Sequence, residues 1–139
     1  MLRQLRIPDE ILIQIDESVQ SALPNEACGL LGGKNDLAQA FLPMTNELHS
    51  PVAFYMSPEE QLKAFLFFEE QLMDLLAIFH SHPDGPRGPS PTDIHQFYYP
   101  GTLYLIWSPA SDKNHLHGFQ ILPEGIQEIP IRIEMSRND

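Results

Sequence analysis

The chain has a single cysteine, Cys28, so an internal disulfide is excluded and a reducing compartment is expected. Basic residues are few. Eight Lys and Arg stand against nineteen Asp and Glu, a formal net charge of -11. Such a chain repels phosphate backbones and anionic lipids, which argues against nucleic-acid or membrane binding as its main task. Long apolar runs are missing as well. No stretch approaches the roughly 20 residues that a membrane-spanning helix needs. Met1 to Arg6 lacks the apolar core of a signal peptide. The expectation is a soluble, cytoplasmic protein. Internal repeats, low-complexity tracts and linkers are also absent, so residues 1–139 read as one domain, and a hydrophobic fraction of 42% suffices for a core.

What the chain does have is concentrated in residues 79–93. Two histidines, a serine and an aspartate stand there at the spacing H-x-H-x7-S-x2-D: His80, His82, Ser90 and Asp93. His80 and His82 are two apart, so on an extended chain both point to one face and can meet one metal ion without bending the backbone. Catalytic zinc takes three ligands from His, Asp or Glu and keeps a fourth position for water. Asp93 is the nearest third ligand, and Ser90 would lie beside the metal, where its hydroxyl can donate to a developing oxyanion. Taken singly, Ser90 and Asp93 also read as a capping box, with Pro91 at the first helical position. The intervening loop, Pro83 to Pro89, holds three prolines and two glycines, which makes it stiff between its hinges.

This pattern resembles the JAMM (MPN+) metalloprotease motif, a distant glutamate followed by H-x-H-x7-S-x2-D. The distant acid matches Glu26, which precedes Ala27-Cys28-Gly29-Leu30-Leu31-Gly32. The resemblance implies an α/β, cytidine-deaminase-like (JAB/MPN) fold, a mixed β-sheet flanked by helices in three layers. It also implies one Zn2+ ion held by His80, His82 and Asp93, with Glu26 as general base and then acid, and Ser90 stabilising the tetrahedral intermediate. The implied activity is a zinc metallopeptidase or isopeptidase. The implied substrate is the C-terminal tail of a ubiquitin-like or sulfur-carrier (ThiS/MoaD-type) protein, with release of cysteine as one such reaction. The chain looks like a small, prokaryote-style member without the insertions of eukaryotic deubiquitinating relatives. A non-catalytic MPN-type interaction module is the alternative, and it requires a missing ligand. A nucleoside deaminase fails, because the H-x-E and P-C-x-x-C pattern is absent.

Along the chain, Ile7, Ile11, Ile15 and Val19 recur every fourth residue and predict an amphipathic helix packed on one sheet face. A buried strand over Ala27–Gly32, a turn at 34–36 and a second strand over Leu37–Met44 follow. Val52–Met56 reads as a short strand whose Phe54 and Tyr55 are either substrate contacts or core aromatics. Ser57 starts a helix that runs to about Asp74, whose Phe65, Phe67 and Phe68 cluster reads as core by default, with an interface as the alternative. Leu75–Ser81 is the central strand, delivering the histidines. A short helix from Ser90 to about Tyr98 follows, on which His95 faces away from the site. Thr102–Trp107, His115–Leu122 and Ile126–Ile133 close the chain as strands, before a frayed tail at 136–139. Cys28 reads as a small buried hydrophobe, Arg87 as facing water, and His115 and His117 as an ordinary polar strand face without an acid at suitable spacing.

Overall fold

The computed structural model describes residues 2–91, 93, 101–110 and 114–135. The helix expected from Ser90 to Tyr98, with His95, therefore lies largely outside the described residues, as do the end of the 108–113 loop and the 136–139 tail.

The first element is a strand, not a helix. In β1 (Leu5–Pro8), Leu5 and Ile7 are fully buried while Arg6 and Pro8 are partly exposed, the period of a half-buried strand. Pro8 stays extended (φ -59°, ψ 145°) and precedes α1 (Asp9–Ala22), whose first turn carries Asp9 and Glu10 at the positive end of the helix dipole. Ile7 thus belongs to the strand, while Ile11, Ile15 and Val19 form the buried helical stripe.

β2 (Cys28–Lys34) pairs antiparallel with β3 (Leu37–Met44) across a tight turn in which Asn35 takes a positive φ of 55°. No strand forms at 52–56; only an isolated bridge joins Met56 to Asn46. α2 (Pro58–Glu70) starts on Ser57, whose Oγ accepts from the Glu60 amide at 3.3 Å. It stops four residues before the expected Asp74, because Leu72 turns left-handed (φ 58°) and the amides of Gln71, Leu72 and Met73 fold back onto the last carbonyls.

β4 (Asp74–Ser81) pairs antiparallel with β2 and parallel with β5 (Leu103–Trp107). β6 (Leu116–Leu122) and β7 (Gly125–Ile129) extend this side of the sheet. The expected single strand over 126–133 is two strands, since Pro130 has no N–H to continue the ladder. β8 (Ile131–Glu134) instead pairs parallel with β1. The sheet order is β7-β6-β5-β4-β2-β3-β1-β8. Its two end strands are separated in sequence by Pro130 alone, and two residues span at most about 7 Å. The sheet therefore curls until its edges meet, with the Leu5 amide donating to the Pro130 carbonyl at 2.9 Å.

Strand residues alternate between two cores. Leu31, Ala77, Phe79, Leu103 and Leu105 pack with the α1 stripe. Leu30, Ile78, Tyr104 and Ile106 pack with Ala64 and Phe68 of α2. The helices thus cover opposite faces of a mixed sheet, as expected. By the same parity, Cys28 lies on the α2 face.

Candidate metal centre and active site

The site forms at the end of β4, where parity puts His80 and His82 on the α2 face beyond Ile78. β2 begins beside that end: Cys28 is in register with His80, and continuing the antiparallel pairing sets Glu26 opposite His82. Ser81, between the histidines, secures this register. Its Oγ accepts from the Ala27 amide at 2.8 Å and its amide donates to the Ala27 carbonyl at 3.0 Å. Sheet pairing therefore brings Glu26 to His82 across 56 positions of chain, which nothing in its local sequence signals.

Three ligand-type atoms form a tight triangle. His80 Nε2 and His82 Nε2 are 3.0 Å apart, and Asp93 Oδ2 lies 3.1 Å from the first and 3.2 Å from the second. Protons cannot satisfy all three contacts at once, because each imidazole N–H points in one direction. A single cation can. Ligand arms of about 2.0–2.1 Å at tetrahedral angles put ligand atoms about 3.3 Å apart, close to this triangle. Glu26 joins from the side: its carboxylate and the two imidazoles place ligand-type atoms within 4.8 Å of one another, all three residues buried. Two overlapping groups thus share the histidines. In the triangle with Asp93 every edge is 3.0–3.2 Å.

Each member is held differently. The His82 ring places Nδ1 2.8 Å from the Pro86 carbonyl, so Nδ1 carries a proton, and when the ring is neutral its Nε2 lone pair faces the triangle. Burying the stiff loop's carbonyl against His82 is what the Pro/Gly-rich segment achieves. His80 is fully buried and its Nδ1 has no hydrogen-bond partner among the described residues. Its ring is instead sandwiched by packing, stacked on Phe54 (centroids 4.5 Å, 22°) and edge-on to Tyr104 (5.5 Å, 74°). Phe54 is therefore a contact of the site itself, while Tyr55 is exposed. Asp93 and Ser90 do form the reciprocal capping box: the Ser90 amide donates to Asp93 Oδ2 at 2.8 Å and the Asp93 amide donates to Ser90 Oγ at 3.0 Å. The cap aims this same Oδ2 at both histidines. Ser90 Oγ accepts in the cap, so its O–H remains a donor.

The electrostatics follow from burial and contact. Burial pushes Glu26 up to about 7, with the His82 charge opposing and the Asp93 charge adding. Burial also acts to raise Asp93, but hydrogen bonds with His80 and His82 outweigh it and hold the carboxyl well below its ordinary range. Burial lowers His80. For His82 the burial effect is overcome by hydrogen bonds to Asp93 and Pro86 and by the charges of Asp93 and Glu26, so it rises. Before a cation enters, the triangle is thus an anion facing a protonatable imidazole.

The sequence matches the family of prokaryotic homologues of the JAB domain over residues 8–120. The chain belongs to this family. Among relatives of this JAB domain, a desampylase of Haloferax volcanii is 36% identical over 104 residues, covering 73% of this chain and 75% of the relative. A CysO-cysteine peptidase of Mycobacterium tuberculosis is 31% identical over 113 residues, covering 79% of this chain and 77% of the relative. A solution structure of a Desulfitobacterium hafniense protein superposes with a TM-score of 0.86 at 33% identity, covering 96% of this chain and 94% of that one. The JAB/MPN fold expected from the motif is therefore present.

The residues set aside also find their places in the JAB domain. Cys28 is buried, its Sγ donating to the Met44 carbonyl at 3.6 Å, and burial pushes the thiol up to about 12, with the charges of Glu60 and Glu26 adding. It is a small hydrophobe, as expected. Arg87 does not simply face water: it pairs with Glu128 at 3.0 Å, although both side chains stay about half exposed. The acid thought missing from His117 is that same Glu128, 3.2 Å from Nδ1 and supplied by the neighbouring strand. His115 precedes the strand in a left-handed conformation (φ 67°). A cleft of about 730 Å3 opens between α1 and residues 43–49 and touches Glu26, but His80, His82 and Asp93 do not line it. Sequence reasoning missed Asn46 and Ser81. A serine between two histidines at the end of an apolar strand was the available signal for Ser81; for Asn46 there was none beyond its loop.

Proposed function

We propose that this JAB domain is a cytoplasmic zinc metallopeptidase that hydrolyses an amide or isopeptide bond at the C-terminal tail of a ubiquitin-like or sulfur-carrier (ThiS/MoaD-type) protein. The observation that carries the reading is the triangle of His80, His82 and Asp93 with the buried Glu26 carboxylate beside it. His80, His82 and Asp93 are the ligands in this reading. Zinc bound there supplies Lewis acidity, which polarises the scissile carbonyl and acidifies water. Glu26, pushed up to about 7 in the metal-free site, takes a proton from the attacking water and returns it to the departing amine. Ser90 uses its free O–H to donate to the developing oxyanion. The His82–Pro86 contact and the capping box keep the ligands oriented. The relatives' names support the substrate class, and the peptidase among them supports release of cysteine as one form of the reaction.

The test begins with metal content by mass spectrometry after zinc loading and removal of free ion. One zinc per chain in the wild type and its loss in His82→Ala are expected, together with cleavage of a carrier protein extended past its C-terminal Gly-Gly. Absence of retained metal in the wild type, or full cleavage by Glu26→Ala, overturns the mechanism. A carrier bound but left intact by the zinc-loaded protein would favour the interaction module.

A further inference from the structure

The loop between β3 and α2 touches both halves of the site, and one side chain closes it. Asn46 is buried and uses its whole hydrogen-bonding capacity. Its Nδ2 donates to the carbonyls of Glu26 (3.1 Å) and Ala53 (3.0 Å), and its Oδ1 accepts from the amides of Leu48 and Tyr55, each at 3.1 Å. The loop so closed reaches back twice. Its Ser50 carbonyl accepts from the Glu26 amide at 2.8 Å, so the Glu26 backbone is held at both N–H and C=O by this one segment. Its Phe54 ring stacks on His80. Glu26 precedes β2 and has no place in the strand ladder, and these bonds to the loop stand in for it.

We infer that Asn46 is a positioning residue for the hydrolysis proposed above: by closing the 46–56 loop it fixes the Glu26 backbone beside the histidines, while the same loop packs Phe54 on His80. The inference rests on the peptidase reading for its effect on turnover, but its structural content can be read in the metal-free protein. Asn46→Asp keeps size and acceptor while turning a carboxylate oxygen towards two carbonyls; Asn46→Ala removes all four bonds. Ile15→Val, in the α1 core, serves as a destabilised control remote from the loop.

Amide hydrogen exchange is measured in the metal-free chains, with the Ala27 amide, held by Ser81, as internal reference. Both Asn46 variants are expected to speed exchange at Glu26 about ten-fold relative to Ala27, and the control not at all. In zinc-loaded protein, kcat is expected to fall roughly 10- to 100-fold at wild-type zinc content, a larger loss than any change in KM. Unchanged exchange at Glu26, or kcat within about two-fold of wild type, overturns the inference. Should the wild type cleave no carrier, the peptidase reading fails, and exchange at Glu26 alone then decides whether Asn46 positions it. Thermal melts identify a variant that fails to fold, in which case Asn46→Ser replaces it.

Discussion

Glu26 is only 4% exposed, and one of its carboxylate oxygens has no hydrogen-bond partner among the described residues. That isolation makes its charge a liability in the metal-free chain. Its folded value of about 7 lies above the ordinary 4.5, so the folded state binds the extra proton between those values. The associated stability is fully present below pH 4.5 and is lost as pH rises through 7. Melting of metal-stripped protein should therefore fall across this window, and Glu26→Gln should flatten the fall; an unaltered slope would assign it to other groups. Cys28 makes the opposite statement, a group with no access and no charge. Iodoacetamide at pH 8 should leave it unlabelled in the native chain and label it fully in denaturant, and rapid native labelling would contradict its burial. At this scale His80, His82, Ser90 and Asp93 were legible because they are close in sequence and their types are restrictive. Glu26 was legible only through resemblance, and Asn46 not at all, since a buried asparagine and a loop asparagine look alike until the loop is closed.

Among the elements, β2 carries the tightest constraints. A Cβ on Gly29 would stand 2.7 Å from the Phe41 ring and 2.8 Å from the Leu42 carbonyl oxygen; one on Gly32 would stand 2.5 Å from the Phe68 ring. A ring can turn aside and a backbone carbonyl in a central ladder cannot. Urea denaturation is expected to show Gly32→Ala destabilised by about 1–3 kcal/mol and Gly29→Ala by more; the reverse order would mean that β2 shifts as a unit. At the far edge, β8 covers β1, and Arg6 ties it down through Asp36 (2.8 Å) and Glu134 (3.4 Å). Deleting 131–139 should leave β1 as a bare edge strand and make the chain aggregate during refolding, detectable by light scattering. A monomeric, equally stable truncation would show that the edge needs no cover. The interior strands and α1 were readable from periodicity. β1 was absorbed into the helix because Ile7 fits both periods, and the β7–β8 break was missed because Pro130 sits inside the apolar alternation of Ile129, Ile131 and Ile133.

For the whole molecule, the consequential fact is that four ionisable side chains, Glu26, His80, His82 and Asp93, are buried together. A divalent cation bound there would offset that cost, so chelation is expected to lower the melting temperature and zinc to restore it, saturably and one ion per chain. Identical melts with and without zinc, in protein shown by mass spectrometry to bind it, would mean that the unfolded chain binds metal as tightly as the folded one. No helix among the described residues is long and apolar enough to cross a membrane, in keeping with the composition. The amino-acid sequence by itself determined the family, the helical stripe, the central strand and four of the five candidate site residues, because motif spacing and period are local properties of a chain. Only the tertiary structure decided that Glu26 faces His82, that the 46–56 loop spans both halves of the site, and that the sheet curls until its edges meet. Those depend on pairing between distant segments, where register is chosen by what the two cores can bury.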